Sequence, residues 1–183
     1  MQFLQWCLPR LGLRWPGFRN VRRRVYKQLK RRLHELGLPS LDAYQTYLAD
    51  HIQEWPRLSS LCWMPITRFY RDRSVFQLLE TEILPELVQL ASESGENQLR
   101  CWSAGCASGE EPHSLAILWQ QRFARGYPML EFSIVATDID PQVIQRAQRG
   151  CYLWSSMKEL PAEWKAEAFD VCGAELCLKD EYR

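Results

Sequence analysis

The sequence predicts an α/β fold in which a small helical lobe precedes a parallel βαβα unit. Two apolar runs, 99–104 and 132–138, have the length of buried strands, and each is followed by helical periodicity. The chain before them carries apolar residues at helical spacing instead. With 183 residues, the chain can build one main core with a small appendage. We therefore expect a helical lobe over 1–62 and an α/β domain over 63–183.

The helical lobe is predicted from two amphipathic segments. Residues 19–36 form the first, because apolar residues recur on one helix face and Gly37 can end the helix. Residues 41–55 form the second, between Pro39 and Pro56. The apolar positions of the first segment are Val21, Val25, Leu29, Leu33 and Leu36.

The α/β domain is expected to begin with a helix over 74–91 and a polar loop over 92–97. The βαβα unit follows with a right-handed crossover, and its elements are strand 99–104, helix 109–125, strand 132–138 and helix 141–149. Gly150 ends this unit. The rest of the chain predicts a short helix near 162–169 and a strand or hairpin near 174–178.

The composition gives no global bias toward nucleic acid or a membrane. Apolar residues make up 46% of the chain and charged residues 25%, and the net charge is +1. Seven cysteines without a Cys-x-x-Cys pair disfavour a disulfide framework and a zinc site. We therefore expect no metal and a reducing, cytoplasmic location. The sequence shows neither a signal peptide nor the roughly 20 apolar residues of a membrane span.

Residues 99–115 carry the most informative pattern of the chain, a strand, a glycine turn and the start of a helix. Gly105 and Gly109 allow a tight turn and a close approach of a ligand to the backbone. The spacing departs from Gly-x-Gly-x-x-Gly, because Ala107 and Glu110 occupy the second and third glycine positions. The turn therefore favours a cofactor without phosphates.

The polar residues after the turn have alternative uses. Ser108 and Glu111 match a capping box, in which each side chain bonds to the other residue's backbone amide. Glu110 is then free to accept a hydrogen bond from a ligand hydroxyl or ammonium group. Its alternative role is a favourable interaction with the helix dipole.

Two aspartates follow the second strand. Asp138 stands at the carboxyl end of a parallel strand, where an acid can accept hydrogen bonds from both ribose hydroxyls. The alternative is a turn or capping role for Asp138. Asp140 precedes Pro141 and fits the N-cap of the next helix. Together with the glycine turn, these residues predict a ribose-containing cofactor.

Four motifs in order carry a family resemblance: Thr67-Arg-Phe-Tyr-Arg-Asp72, Trp102-Ser-Ala-Gly-Cys-Ala-Ser-Gly-Glu-Glu-Pro-His-Ser-Leu115, Ala136-Thr-Asp-Ile-Asp140 and Ser155-Ser-Met-Lys-Glu-Leu-Pro161. From about residue 19 to its end, the chain resembles the CheR-type S-adenosylmethionine-dependent protein-glutamate methyltransferases of bacterial chemotaxis. The resemblance implies a class I methyltransferase (Rossmann-like) sheet, partial in this chain. It also implies S-adenosyl-L-methionine as the cofactor, lying over the turn that contains Gly105.

The resemblance also implies roles for individual residues. Thr67 and Arg71 would contact the methyl donor, Glu110 would lie on the cofactor, and Asp138 would bind its ribose. Arg71 could hold the donor carboxylate in a bidentate fork, and its alternative is an ion pair with Asp72. Thr67 has the alternative of a plain helix-entry residue. No catalytic residue is assigned, because an ionised glutamate carboxylate attacks a sulfonium methyl group without a general base.

The chain departs from the family pattern in two places. Pro65 stands where family members often have Asn. The family also continues with an Asp-Leu-Ile-x-x-Arg-Asn-like segment that does not precede Arg183, so we expect a truncated form or a fragment. Two other functions stay open, a non-catalytic methyltransferase-like fragment and a nucleic-acid-binding module.

A basic stretch precedes this domain. Eight Lys and Arg residues and no acidic residue lie from Arg19 to Arg32. The resemblance favours an acidic helical protein substrate of the chemoreceptor type as the partner. Nucleic acid is the rival partner, and a solvated helix face is the third explanation. No membrane insertion is expected.

Overall fold

The computed structural model of the protein describes residues 2–18, 21–62 and 67–183. The chain forms two compact units, which we call the helical unit, residues 1–64, and the α/β unit, residues 65–183.

The helical unit contains α1 (Gln2–Arg10), α2 (Trp15–Phe18), α3 (Arg22–Glu35), α4 (Leu41–Asp50), a 3₁₀ turn (Ile52–Glu54) and α5 (Trp55–Cys62). The two predicted helices correspond to α3 and α4. The second is shorter than expected, because it ends at Asp50. Pro56 lies in the first turn of α5 rather than at a boundary, a position where a missing backbone N–H is tolerated.

The core of the helical unit contains one buried carboxylate. Glu54 is 6% exposed and accepts hydrogen bonds from Arg32 Nε at 2.8 Å and Arg32 Nη2 at 2.7 Å. The hydroxyl of Tyr44 donates to the same carboxylate at 2.7 Å. The Arg32 guanidinium holds the pKa of Glu54 below its usual value, against the opposite effect of burial. This cluster joins α3 and α4 to the 3₁₀ turn.

The α/β unit contains α6 (Arg73–Leu78), a π-helical turn (Leu79–Ile83), α7 (Leu84–Ser94), β1 (Gln98–Ala104), α8 (Glu110–Arg122), β2 (Glu131–Thr137), α9 (Pro141–Arg149), β3 (Cys151–Leu153), α10 (Ala162–Ala168), β4 (Phe169–Cys172) and β5 (Glu175–Leu178). Strands β1 and β2 pair in parallel, from Gln98 opposite Glu131 to Ala104 opposite Thr137. The antiparallel second sheet has the order β3-β5-β4. The βαβα unit and the α/β fold class are confirmed.

Three local predictions differ from the structure. The helix predicted over 74–91 is interrupted by the π-helical turn and continues to Ser94, where Gly95 ends it with a φ of 72°. Part of the predicted loop 92–97 is therefore helical. Strand β3 was not expected, because three residues are too few to show an alternating pattern.

A disulfide joins Cys151 and Cys177 across β3 and β5, with Cα atoms 4.0 Å apart. The absence of paired cysteine motifs disfavours such a bond from the sequence. The two residues are 26 positions apart and become neighbours only through the pairing of β3 with β5. The remaining five cysteines are free thiols.

The described residues contain neither a membrane-spanning helix nor a metal-binding cluster. Helices in this part of the chain are too short or too polar to cross a membrane. Within 2–18, 21–62 and 67–183, no group of three or more His, Cys, Asp or Glu side chains could hold a metal ion.

Candidate functional site

The turn between β1 and α8 is held by the end of β2. The backbone N–H groups of Gly105 and Cys106 donate to the carbonyl of Thr137 at 2.8 and 2.9 Å. The next N–H group, that of Ala107, donates to Asp138 Oδ2 at 2.9 Å. Three consecutive amides are therefore bonded to the carboxyl end of β2, which places Asp138 at the glycine turn.

The two aspartates after β2 have different tasks. Asp138 Oδ1 accepts the N–H of Asp140 at 2.9 Å, so each oxygen of Asp138 receives one backbone bond. Asp140 accepts the N–H of Gln142 at 2.9 Å and caps α9, as the sequence predicts. Each carboxylate oxygen can accept more than one hydrogen bond. Asp138 thus supports the turn and keeps acceptor capacity for ligand hydroxyls.

The two glycines of the turn have different structural roles. Gly105 has a φ of 76°, and a Cβ atom built there would meet no heavy atom within 4 Å, so this side of the turn is open. Gly109 has a φ of 94°, and its Cβ would lie 2.8 Å from both Ala147 Cβ and Tyr152 Oη. Gly105 leaves room for a ligand, whereas Gly109 allows α9 and β3 to pack behind the turn.

The predicted capping box is wrong. Helix α8 has Gly109 as its N-cap, one residue later than the box requires. The Ser108 hydroxyl donates to Glu110 Oε2 at 2.8 Å, and Glu111 Oε1 accepts the hydroxyl of Ser103 in β1 at 2.6 Å. Gly109, in the left-handed conformation with a φ of 94°, occupies the N-cap position that the box assigns to Ser108. Glu111 still has a structural role, through Ser103.

Glu110 is the buried acid of the turn, with 5% of its surface exposed. Burial raises the pKa of Glu110 above its usual value, although the hydrogen bond from Ser108 lowers it. A buried carboxylate at a helix N-terminus is a strong acceptor for a cationic or hydroxyl group.

Two rings, the buried Tyr152 and the half-buried His113, support the turn from behind. The Tyr152 hydroxyl donates to the carbonyl of Ser108 at 2.8 Å and lies 2.7 Å from Nδ1 of His113. Burial lowers the pKa of His113 to about 4, so the imidazole is neutral at pH 7. The Tyr152 hydroxyl proton is already donated to the carbonyl of Ser108. The Tyr152 oxygen can therefore accept a hydrogen bond from Nδ1 of the neutral His113 ring.

The segment before α6 is attached to α8. Phe69 is fully buried, and its N–H donates to the carbonyl of Ser156 at 3.0 Å. The N–H of Tyr70 donates to Ser114 Oγ at 3.0 Å, and this hydroxyl donates to the carbonyl of Glu110 at 2.6 Å. A chain of two hydrogen bonds thus links the predicted donor-binding segment 67–72 to the helix that carries Glu110.

Two predicted site residues lie on this segment. Thr67 is half-buried, and the side chain of Arg71 is 49% exposed. Arg71 Nε lies 3.6 Å from Asp72 Oδ2, which is the alternative pairing considered from the sequence. Pro65 lies outside the described residues.

The residues of this region fit a phosphate-free, ribose-containing donor. An open glycine turn is flanked by the acids Asp138 and Glu110, which suit hydroxyl and ammonium groups. An exposed guanidinium on the 67–72 segment suits a carboxylate. Sequence reasoning missed Ser103, Ser114 and Tyr152. Ser114 and Tyr152 contact residues 44 positions away, and Ser103 contacts Glu111, eight positions away. Ser114 alone left a signal, a serine four residues after a helix-opening Glu.

The comparisons with known proteins agree with this geometry. The family model described as "CheR methyltransferase, SAM binding domain" matches residues 66–181. A chemotaxis protein methyltransferase of Listeria innocua is 36% identical over 124 residues, which are 68% of this chain and 44% of that protein. A probable chemotaxis protein methyltransferase of Rhizobium etli is 31% identical over 147 residues, 79% of this chain and 54% of that protein.

A third relative is an uncharacterized 104.1 kDa protein of Rhodobacter capsulatus, 30% identical over 159 residues, which are 87% of this chain and 16% of that protein. The chain thus spans about half, or less, of the length of these curated relatives. The family match covers the glycine turn, both predicted acids and the 67–72 segment. The chain belongs to the CheR methyltransferase family and carries its S-adenosylmethionine-binding domain.

Proposed function

We propose that the protein is an S-adenosylmethionine-dependent methyltransferase that transfers a methyl group to a glutamate carboxylate of another protein, as in chemoreceptor methylation. The observation that carries the proposal is the Asp138 carboxylate bonded to the amide of Ala107 at an open glycine turn. The names of the relatives, chemotaxis protein methyltransferases, support the acceptor class. We assign the helical lobe to 1–62 and the donor-binding domain to 63–183.

Five residues are proposed to hold the donor. Asp138 accepts the ribose hydroxyls, Gly105 lets the ligand approach the backbone, and Glu110 accepts a hydroxyl or ammonium group. Arg71, whose side chain is 49% exposed, binds the donor carboxylate in a bidentate pair. Thr67 contacts the donor from the same segment. No residue is assigned a catalytic role.

Methyl transfer to a carboxylate requires the protein mainly to orient the two reactants. Bound S-adenosylmethionine supplies an electrophilic methyl group on a sulfonium. The acceptor glutamate is already ionised near neutral pH, so no proton has to be removed before attack. The protein's part is to hold oxygen, methyl and sulfur in line and to remove water from the carboxylate.

The donor-binding proposal is tested by isothermal titration calorimetry with S-adenosylmethionine and S-adenosylhomocysteine. We expect micromolar dissociation constants, about 8 kcal/mol of binding free energy. NAD is the control ligand, because the turn departs from the dinucleotide pattern, and it should produce no saturable heat. A well-folded chain that binds neither sulfur ligand would contradict the proposal. Donor binding without methyl transfer to any acidic acceptor would favour the non-catalytic alternative.

We further propose that α3 binds an acidic helical segment of the acceptor. Its exposed face carries Arg22, Arg23, Arg24, Lys27, Lys30 and Arg31.

Titration of a Glu-rich helical peptide and an RNA of equal charge, over a series of salt concentrations, separates the two partners. We expect the peptide to bind about tenfold more tightly, and the double variant Arg23→Ala, Lys27→Ala to lose most of this affinity, about 1–2 kcal/mol. Arg100→Ala, which changes an exposed arginine of β1, is the control. Tighter RNA binding would contradict the proposal.

We propose a cytoplasmic location as well. The Cys151–Cys177 disulfide argues against the reducing compartment expected from the sequence, whereas the other five cysteines are free thiols.

A further inference from the structure

Ser114 is a buried serine at the junction of two parts of the candidate site. It lies on α8 and is fully buried. Its hydroxyl donates to the carbonyl of Glu110 at 2.6 Å and accepts the backbone N–H of Tyr70 at 3.0 Å. One oxygen atom therefore connects the helix that carries Glu110 to a segment 44 residues earlier in the chain.

The segment that Ser114 contacts has an unusual backbone. Tyr70 has a φ of 56° and Asp72 a φ of 60°, so both residues beside Arg71 are left-handed without being glycine. Such conformations are strained and persist only where the surroundings hold them. The hydrogen bond from Tyr70 N–H to Ser114 lies at the first of these two residues. It therefore bears on the direction in which Arg71 leaves the backbone.

Two simpler explanations account for only part of this arrangement. Serines in helices often donate to the carbonyl four residues earlier, which explains the bond to Glu110 but not the bond from Tyr70. The Tyr70 ring stacks on Phe76 at 4.5 Å and packs edge-on against Trp164 at 5.5 Å. These contacts hold the ring, whereas the hydroxyl of Ser114 holds the Phe69–Tyr70 peptide plane, one residue before Arg71. The N–H of Arg71 itself donates to the carbonyl of Arg68 at 3.4 Å.

We propose that Ser114 is a positioning residue, which holds the backbone at Tyr70 so that the Arg71 side chain is presented to the carboxylate of the methyl donor. This inference rests on the proposed donor-binding role of Arg71. Ser114 itself does not touch the donor. Its effect on binding passes through Arg71.

The test compares Ser114→Ala, which removes the oxygen, with Ser114→Thr, which keeps it. Hydrogen exchange of the Tyr70 amide is measured in the ligand-free protein, and the dissociation constant of S-adenosylhomocysteine is measured by calorimetry. For Ser114→Ala we expect about tenfold faster exchange at Tyr70 and about tenfold weaker binding, the usual effect of one lost hydrogen bond. Ser114→Thr should restore both values to within about threefold. Ser92→Ala is the matched control, since Ser92 donates to the carbonyl of Val88 at 2.9 Å within α7.

A double-mutant cycle separates positioning from a general structural effect. If Ser114 acts through Arg71, Ser114→Ala should weaken binding no further in an Arg71→Ala background. Additive effects of the two substitutions, or an unchanged dissociation constant in Ser114→Ala, would overturn the inference. A wild-type chain that fails to bind any sulfur ligand would reject the proposed function instead. The Tyr70 exchange rate would then still decide whether Ser114 holds this segment.

Discussion

Replacing Asp138 with Asn is expected to weaken S-adenosylmethionine binding by about 100-fold, or about 2.7 kcal/mol. The carboxylate of Asp138 accepts the amides of Ala107 and Asp140, one on each oxygen. An Asn side chain has one carbonyl oxygen, and its NH₂ group would face a second N–H donor. The substitution therefore removes a proposed ribose acceptor and also loosens the turn beneath the donor. Calorimetric titration with S-adenosylmethionine measures the loss.

Asp140→Asn is the matched control for this experiment. It removes a negative charge two residues away, and Asn caps a helix as well as Asp does. The N-cap contact of Asp140 to Gln142 N–H can thus be kept. Donor affinity should change less than about threefold, because the ribose acceptor is untouched. Equal losses in the two variants would mean that net charge, and not the position of Asp138, governs binding.

Glu54→Gln should have the largest effect on stability, lowering the free energy of unfolding of the helical unit by about 3 kcal/mol. Glu54 receives two bonds from Arg32 and one from Tyr44 in a region with little water, since it is 6% exposed. Gln keeps the size but removes the buried opposite charge of the Arg32 guanidinium, whose other acidic partner, Glu35, is 40% exposed. Hydrogen exchange of the most protected amides of α3 and α4 measures the free energy of opening.

The pH dependence of this loss provides a second readout. The pKa of Glu54 is lowered in the folded state, so its stabilising contribution is present above the ordinary value of 4.5 and is lost as the pH falls through the folded pKa. The difference in unfolding free energy between wild type and Glu54→Gln should therefore be large at neutral pH and shrink in strong acid.

Glu35→Gln is the control, because Glu35 is 40% exposed where it pairs with Arg31 and Arg32. This substitution should lower the free energy of unfolding by less than about 1 kcal/mol. A comparable loss in both variants would contradict a special role for the buried carboxylate.

The parts of the fold that the sequence predicts are those governed by local pattern. Helix α9 matches its predicted range, 141–149, because Asp140 and Gly150 mark both ends by local chemistry. Strand β3 and the Cys151–Cys177 bond depend on pairing between segments 26 residues apart, which no local signal specifies. The helix predicted over 41–55 was too long for a related reason. The 3₁₀ turn that follows α4 is held by Arg32, a residue of another helix.

The residues of the candidate site also divide into those predictable from local sequence and those placed by contacts between distant segments. The glycine positions and Asp138 were predictable, since turn chemistry and strand ends place them. The predicted capping box is wrong because α8 starts one residue later, after the left-handed Gly109, where a Cβ atom would clash with Ala147 and Tyr152. Sequence reasoning could find the bond of Ser114 to the carbonyl of Glu110, four residues earlier, but not its bond from Tyr70, which precedes it by 44 residues.

The glycine turn also affects the entropy of ligand binding. Its three successive amides, from Gly105 to Ala107, are already bonded to the end of β2 before any ligand arrives. The loop is therefore ordered when the chain folds, and the associated loss of conformational freedom falls on folding and not on association with the donor. A pre-organised loop of this kind allows a small ligand to bind through few contacts, because little of the binding free energy is consumed in ordering the protein.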